Sequence, residues 1–150
     1  MPFFNACKLM RRSPGKQEKS IHAFRLKPGQ DLRKEIELYV KENNIGAGWI
    51  SACVGSLSRY ALRFANQDQP NMGSGHFEIV SITGTVSTNG SHIHVSISDE
   101  TGKTIGGHLL EGAIIYTTAE IVIQSSSEFS FIRAKDGTTP WEELQIMPKL

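Results

Sequence analysis

Alternation of apolar and polar residues runs through most of the chain and predicts β-strands along it. The first such segment, residues 20–27, alternates clearly and is followed by a break at Pro28-Gly29. One long polar stretch, residues 66–75, predicts a loop between later strands. The further predicted strands cover residues 49–57, 60–65, 76–86, 91–98, 104–110 and 113–124, and residues 128–134 add a last one.

One segment, residues 31–44, repeats its apolar positions with helical spacing. Leu32, Ile36, Tyr39 and Val40 fall on one face, which predicts a helix that packs on the strands. The first residue of the segment is an aspartate, whose charge suits the positive end of the helix dipole. One helix against one antiparallel sheet is an α+β arrangement, so the sequence predicts this fold class.

Length and composition fit one globular domain. The chain has 150 residues, of which 39% are hydrophobic and 21% charged, and this is enough to build a core. We expect a flexible N-terminal tail over residues 1–19, a folded domain over residues 20–134, and a C-terminal tail over residues 135–150 that packs on the domain. Since no apolar run is long enough to span a bilayer, we expect no membrane partner.

The net charge and the cysteines indicate which binding partners and which cellular compartment to expect. The formal net charge is +1, whereas a dedicated DNA-binding domain is usually much more basic, so the charge gives no reason to expect nucleic acid without excluding it. Cys7 and Cys53 stand far apart, which indicates reduced thiols and a cytoplasmic protein. Lys8, Arg11 and Arg12 lie in a stretch without acidic residues and leave organellar targeting open.

The most informative stretch, residues 88–112, predicts a hairpin that carries histidines. Asn89-Gly90 favours a tight turn at its start. In the strand that follows, apolar residues alternate with His92 and His94, and successive side chains of a strand point to opposite faces. Because the apolar side must face the core, both histidines point outward on one polar face.

The second strand of the hairpin can be aligned by matching the apolar faces. Ile97 then pairs with Ile105, and the loop between them contains Gly102, which can adopt a positive φ. The same register places His94 directly opposite His108, and opposed Cβ atoms are about 4.5–5.5 Å apart. The hairpin therefore gathers three imidazoles in one patch.

Three neutral imidazoles are suitable ligands for zinc. The set His92, His94 and His108 would leave a fourth position for water or a small ligand. The alternative is that these histidines hydrogen-bond Ser96, Ser98 or a neighbouring subunit. No general base or nucleophile can be named beside the patch, which favours binding over catalysis and leaves enzymatic activity uncertain.

Arg63 is flanked by apolar residues in the predicted strand 60–65. One interpretation is a buried or interface ion pair, with Glu78 or Glu120 as the partner. The other is an ordinary residue at the edge of the sheet, and the sequence does not decide between them.

Three runs of sequence together resemble a known family. They are IGAGWISACVGSLSRYALRFAN, then GHFEIVSITGTVSTNGSHIHVSISDETGKTIGGHLLEG, then YTTAEIVI. In this order they closely resemble the plant and prokaryote conserved (PPC) domain over residues 20–134. The resemblance implies an α+β fold with an antiparallel sheet that assembles as a homotrimer.

The plant members of the PPC family imply an interaction function. There the domain follows an AT-hook in nuclear DNA-binding proteins and mediates self-association and contacts with transcription factors. The plant contact motif reads Gly-Arg-Phe-Glu-Ile, and no AT-hook core is found in this sequence. The residues that match the motif here are Gly75, His76, Phe77, Glu78 and Ile79, with His76 in place of the arginine.

Prokaryotic members without the hook share the His-x-His and Gly-Gly-His patterns, and some resemble zinc binders. This chain is more similar to them. We therefore expect a stand-alone, PPC-like homotrimer that binds a zinc-like metal or a small ligand through its three histidines. Two alternatives stay open: a DNA-associated or transcription-associated interaction module acting through residues 75–79, and a metal-dependent hydrolase or lyase.

Overall fold

Eight strands and one α-helix form between residues 19 and 149, the part of the chain that the computed structural model describes. The expected flexible tail over residues 1–19 lies outside this part except for Lys19, which begins the first strand. In chain order the elements are β1 (Lys19–Leu26), α1 (Leu32–Glu42), β2 (Gly48–Arg63), β3 (Asn71–Ser87), β4 (Gly90–Ser98), β5 (Thr104–Leu109), β6 (Ile114–Ser126), β7 (Phe129–Ala134) and β8 (Glu143–Pro148).

The first six strands form one sheet in the order β1-β6-β2-β3-β4-β5, and every pairing in it is antiparallel. Strand β5 also pairs with the end of β2, where Leu62 lies opposite Leu109 and Arg63 opposite His108. Strands β2 to β5 therefore form a closed ring. The predicted α+β fold, with an antiparallel sheet and one main helix, is confirmed.

Helix α1 begins at an aspartate cap. The Asp31 carboxylate accepts hydrogen bonds from the backbone N–H groups of Arg33 at 3.1 Å and Lys34 at 3.2 Å, which would otherwise lack partners at the helix start. Tyr39 stacks on Phe24 of β1, with ring centroids 4.0 Å apart. Helix α1, the one helix of residues 19–149, has 11 residues and is too short to span a bilayer. The buried residues of α1 are Leu32, Ile36 and Val40.

The core lies between α1 and the inner face of the sheet, and strand β4 shows how the sequence fixes that face. Ile93, Val95 and Ile97 are buried, whereas His94 between them is exposed. Burying one such aliphatic side chain contributes about 1.5–3 kcal/mol. Because a slip by one residue would expose all three and bury the histidines, the alternation holds the histidines on the outer face.

Strands β2 and β3 are longer than the pattern predicted. The two predicted strands 49–57 and 60–65 are one strand, since the irregularity between Leu57 and Arg59 is a shift in the pairing with both neighbours and not a turn. Strand β3 begins at Asn71, so part of the predicted polar loop belongs to a strand.

The C-terminal part forms a second sheet, whereas the pattern predicted one. Strand β8 lies within the predicted tail and pairs with β7, so that Phe131 is opposite Ile146. The backbone N–H of Phe131 donates to the carbonyl of Gly46 at 2.8 Å, and its carbonyl accepts a hydrogen bond from the Ser87 hydroxyl at 2.9 Å. These bonds attach the small sheet to the loop after α1 and to the end of β3.

Candidate metal centre

The hairpin of β4 and β5 has the register that its apolar residues predicted. Ile97 pairs with Ile105, and His94 pairs with His108. The connecting loop contains Gly102 at a φ of +82°, in the left-handed region that favours glycine. The Asp99 carboxylate fastens this loop, because it accepts a hydrogen bond from the backbone N–H of Lys103 at 3.0 Å.

The structure brings His92, His94 and His108 together, and we refer to them as the three-histidine site. Nε2 of His92 lies 3.1 Å from Nε2 of His94 and 3.2 Å from Nδ1 of His108, and the third side of the triangle is also 3.2 Å. Hydrogen bonds alone do not explain three nearly equal separations, since each ring nitrogen carries a single proton or a single lone pair in the ring plane.

The triangle of nitrogens fits a tetrahedral metal ion. Zinc–nitrogen distances of about 2.0–2.1 Å place the ligand atoms of a tetrahedron about 3.3–3.4 Å apart. The observed separations of 3.1 to 3.2 Å are close to this. A metal held by three nitrogens keeps its fourth position open, so the geometry can hold a zinc-like ion and one further ligand.

Burial and nearby positive charge keep two of the histidines neutral, which is the form that binds metal. Burial and then the charge of Arg63 lower the pKa of His108 to about 4. The pKa of His92 is also lowered, first by burial, then by His94 and Arg133, and Glu143 opposes this shift. At neutral pH these imidazoles therefore offer lone pairs without first losing a proton.

A glycine next to His108 permits the strand pairing that surrounds the site. A Cβ atom on Gly107 would lie 2.6 Å from the backbone carbonyl oxygen of Arg63, which is closer than real Cβ contacts. Only a residue without a side chain therefore allows β5 to approach β2 at this point. The approach makes Arg63 the direct cross-strand partner of His108.

The structure does not bring Arg63 together with Glu120 or Glu78. Glu120 is exposed on β6 opposite Val54, nine residues before Arg63 on β2, which is about 30 Å along a strand. Glu78 pairs with Ser56, also far from Arg63 along β2. Between residues 19 and 149, the ion pairs are Arg33 with Glu37 and Lys34 with Glu111.

The predicted interaction segment, residues 75–79, lies within β3. Ile79 is buried, whereas His76 and Glu78 are exposed. The ring of His76 packs against Tyr116 with centroids 4.4 Å apart, and Phe77 packs edge-on against Tyr60 at 5.1 Å. The segment is thus part of the sheet, and half of its side chains face outward.

A cleft of about 760 Å³ borders the three-histidine site, and His92 and His108 form part of its wall. Trp141 of the segment before β8 also lines it. The pattern of the sequence did not predict this cleft, because its walls come from distant parts of the chain. We call it the arginine cleft. Its charged residues are Arg33, Lys41, Arg63, Arg133, Glu37, Glu142 and Glu143.

The sequence matches one known protein family. The family model of the Plants and Prokaryotes Conserved (PCC) domain matches residues 13–127, which is most of the chain. The chain belongs to this family. It is the family that the sequence motifs indicated under the name PPC, so that resemblance is confirmed. The PPC match covers both strands of the histidine hairpin.

Relatives of known structure share the fold over most of their length. A hypothetical protein from Salmonella is 34% identical, with a TM-score of 0.87, and the match covers 91% of this chain and 99% of that one. A protein from Archaeoglobus fulgidus described as metal-containing is 25% identical, with a TM-score of 0.75 and the same coverage.

The curated relatives that match this chain are much longer than it. The bifunctional protein GlmU of a Synechococcus strain is 42% identical over 128 residues, which is 85% of this chain and 20% of GlmU. The chain thus spans about a fifth of the length of the curated relatives it matches.

Proposed function

We propose that this PPC domain is a metal-binding protein in which His92, His94 and His108 hold one zinc-like divalent ion. The convergence of three ring nitrogens at mutual distances of 3.1 to 3.2 Å carries this proposal. The structural relative from Archaeoglobus fulgidus, described as metal-containing, supports it. In this chain the lowered pKa values of His92 and His108 favour metal over protons.

When bound, such an ion acts as a Lewis acid and accepts one further ligand at its open position. The residues of the chain hold the imidazoles in place and keep those of His92 and His108 neutral. The stiff β4–β5 ladder fixes their spacing, because His94 and His108 are direct partners in it. This arrangement suits reversible binding of a small ligand, and the proposal includes no reaction.

We also propose that the protein forms a homotrimer, and the outer face of the sheet supports self-association. Val54 and Val80 are 65% and 57% exposed. Gly55 pairs with Ile79 in the antiparallel β2–β3 ladder. Val54 precedes Gly55 and Val80 follows Ile79, so the two valines lie opposite each other on the outer face. Two apolar side chains exposed side by side on a sheet offer surface that self-association would bury. Binding of a protein partner through residues 75–79 stays a prediction.

Metal analysis of the purified protein tests the proposed site. The wild type should carry about one metal ion for each set of three histidines. A His94→Ala/His108→Ala variant should lose at least nine-tenths of this metal. His22→Ala is the matched control, because His22 contacts Ser125 at the β1–β6 ladder and belongs to no metal-ligand group among the described residues.

The folding of each protein is measured together with its metal content. Circular dichroism should show the same strand content in all three proteins, since both substituted site histidines are on the outer face. Equal metal content in the wild type and the double variant would refute the site. A loss that the His22→Ala control shares would point to a general effect on the protein.

A further inference from the structure

Arg63 differs from every other arginine in the described part of the chain, because its guanidinium donates no hydrogen bond to a described residue. The other four described arginines each donate hydrogen bonds of 2.7 to 3.0 Å: Arg25 to Thr118, Arg33 to Glu37 and the Leu109 carbonyl, Arg59 to the Gly112 carbonyl, and Arg133 to Thr85. Arg63 is nevertheless half-buried. Because Arg63 lines the arginine cleft, the donors that no described residue uses are open to a ligand in that cleft.

The surroundings of Arg63 leave its donors available. Its guanidinium carbon lies 5.6 Å from the ring centroid of Trp141, over the ring. A cation–π contact uses the positive charge of the guanidinium and leaves N–H groups free to donate. On the other side, Arg63 is the cross-strand partner of His108. Arg63 lines the arginine cleft together with His92 and His108, so its guanidinium lies beside the three-histidine site.

The charges of the arginine cleft favour an anion. Four cationic side chains and three carboxylates line it. One cation and one carboxylate already neutralise each other, since Arg33 and Glu37 form an ion pair at 2.9 Å. Lys41 forms no ion pair with a described carboxylate. A divalent ion at the three-histidine site would add two positive charges beside Arg63.

We propose that the arginine cleft binds a small anion, through a carboxylate or phosphoryl group held by Arg63 next to the metal of the three-histidine site. This rests on the proposed metal-binding function. The forked donors of arginine match both groups, which is why arginine recognises them in proteins. The remaining carboxylates of the cleft, Glu142 and Glu143, would repel the continuous negative charge of a nucleic acid, so a small molecule fits better than DNA.

Calorimetric titration of the metal-loaded protein tests the assignment, with inorganic phosphate and acetate as separate probes. Arg63→Gln should weaken binding of the preferred probe at least about tenfold, because a charge-assisted hydrogen bond is lost. Arg63→Lys should recover part of the affinity through its charge without the forked geometry. Arg25→Gln is the control, since Arg25 is exposed and bonds Thr118 on the β1–β6 ladder. The two probes distinguish phosphoryl from carboxylate ligands.

Metal content, measured on the same samples, separates the two proposals. If the wild type holds metal but binds neither probe, or binds one equally in Arg63→Gln, the anion site is refuted and the metal site stands. If the wild type holds no metal, the proposed function fails. Phosphate binding by that protein, lost in Arg63→Gln, would still support the cleft as an anion site.

A duplex of DNA serves as the third probe. Binding of the duplex that depends on Arg63, without binding of phosphate or acetate, would overturn the small-molecule assignment. We expect the duplex to bind weakly and equally to the wild type and Arg63→Gln. Unchanged circular dichroism of Arg63→Gln excludes misfolding as the cause of lost affinity.

Discussion

Arg63 and His108 are direct partners across the short ladder that joins the end of β2 to β5. This relationship places a half-buried arginine beside one of the three site histidines, and the arginine's charge adds to burial in lowering the pKa of that histidine. It depends on Gly107, where a Cβ atom would meet the backbone of Arg63 at 2.6 Å. One glycine therefore controls both the closure of the strand ring and the surroundings of the candidate metal centre.

Replacement of this glycine should destabilise the protein and loosen the site. Gly107→Ala forces a methyl group against backbone atoms, which cannot move aside as a flexible side chain would. We expect the free energy of unfolding to fall by about 1–3 kcal/mol, the usual cost of overpacking. Urea denaturation measures this loss, and metal content should fall with it.

Gly46→Ala is the matched control for this substitution. A Cβ atom there would meet the end of the flexible Lys149 side chain at 3.2 Å, which can move away. Its stability should stay within about 0.5 kcal/mol of the wild type, as is usual for tolerated surface changes. If Gly107→Ala were as stable as Gly46→Ala, the close approach of β5 and β2 would not be required.

The histidine pairing could be predicted from sequence because it is local. Asn89-Gly90 marks the turn before β4, and the apolar residues on either side of the Asp99–Lys103 loop fix the register. His94 and His108 are only fourteen positions apart in the chain. Alternation within two neighbouring strands was sufficient to place both side chains on the outer face.

The arginine cleft could not be predicted in this way because it depends on distant pairings. Arg63 meets His108 across forty-five positions of chain, and nothing in either segment marks the other as its partner. The suggested partner Glu120 lies far away along the sheet. Strand β8 was not predicted either, because its alternating residues 143–146 form a short run between Pro140 and Pro148, and prolines argue against a strand.

The stability of the metal-free protein should depend on pH through His108. The pKa of this histidine is about 4 in the folded protein, against an ordinary value of 6.5, so between these values the unfolded chain binds a proton that the folded protein does not. The free energy of unfolding should therefore fall as pH drops from 6.5 towards 4. One proton gives at most about 1.4 kcal/mol per pH unit, and exposure to solvent reduces this.

Thermal denaturation in the presence of a chelator, from pH 7 to pH 4, measures this effect. His108→Gln removes the titrating group, and the difference between the two proteins cancels the contribution of carboxylates. The wild type should lose more stability over this range than the variant. Parallel curves would contradict the lowered pKa.

Asp31 should contribute to stability through both oxygens of its carboxylate. One oxygen caps α1 at Arg33 and Lys34, and the other accepts a hydrogen bond of 2.6 Å from the backbone N–H of Gly112. Asp31→Ala removes both sets of bonds and should cost about 1–3 kcal/mol in urea denaturation. Asp31→Asn keeps one acceptor and should cost less. Asp68→Ala, in an exposed loop, is the control and should have little effect.

Self-association through the outer face of the sheet predicts a specific sensitivity at Val80. The wild type should have a mass about three times the 16.6 kDa of one chain by light scattering. Val80→Asp places a charge where the proposed interface would bury it without a partner, so it should shift the mass towards that of one chain.

Leu38→Asp is the matched control, because Leu38 is a 47% exposed apolar residue on α1, away from that sheet face. It should leave the mass of the assembly unchanged. A wild type with the mass of one chain would refute the homotrimer, and a Val80→Asp variant that still has three times the chain mass would place the interface elsewhere. Because the histidine contacts lie within one chain, a dissociated Val80→Asp variant should still bind metal, which separates assembly from metal binding.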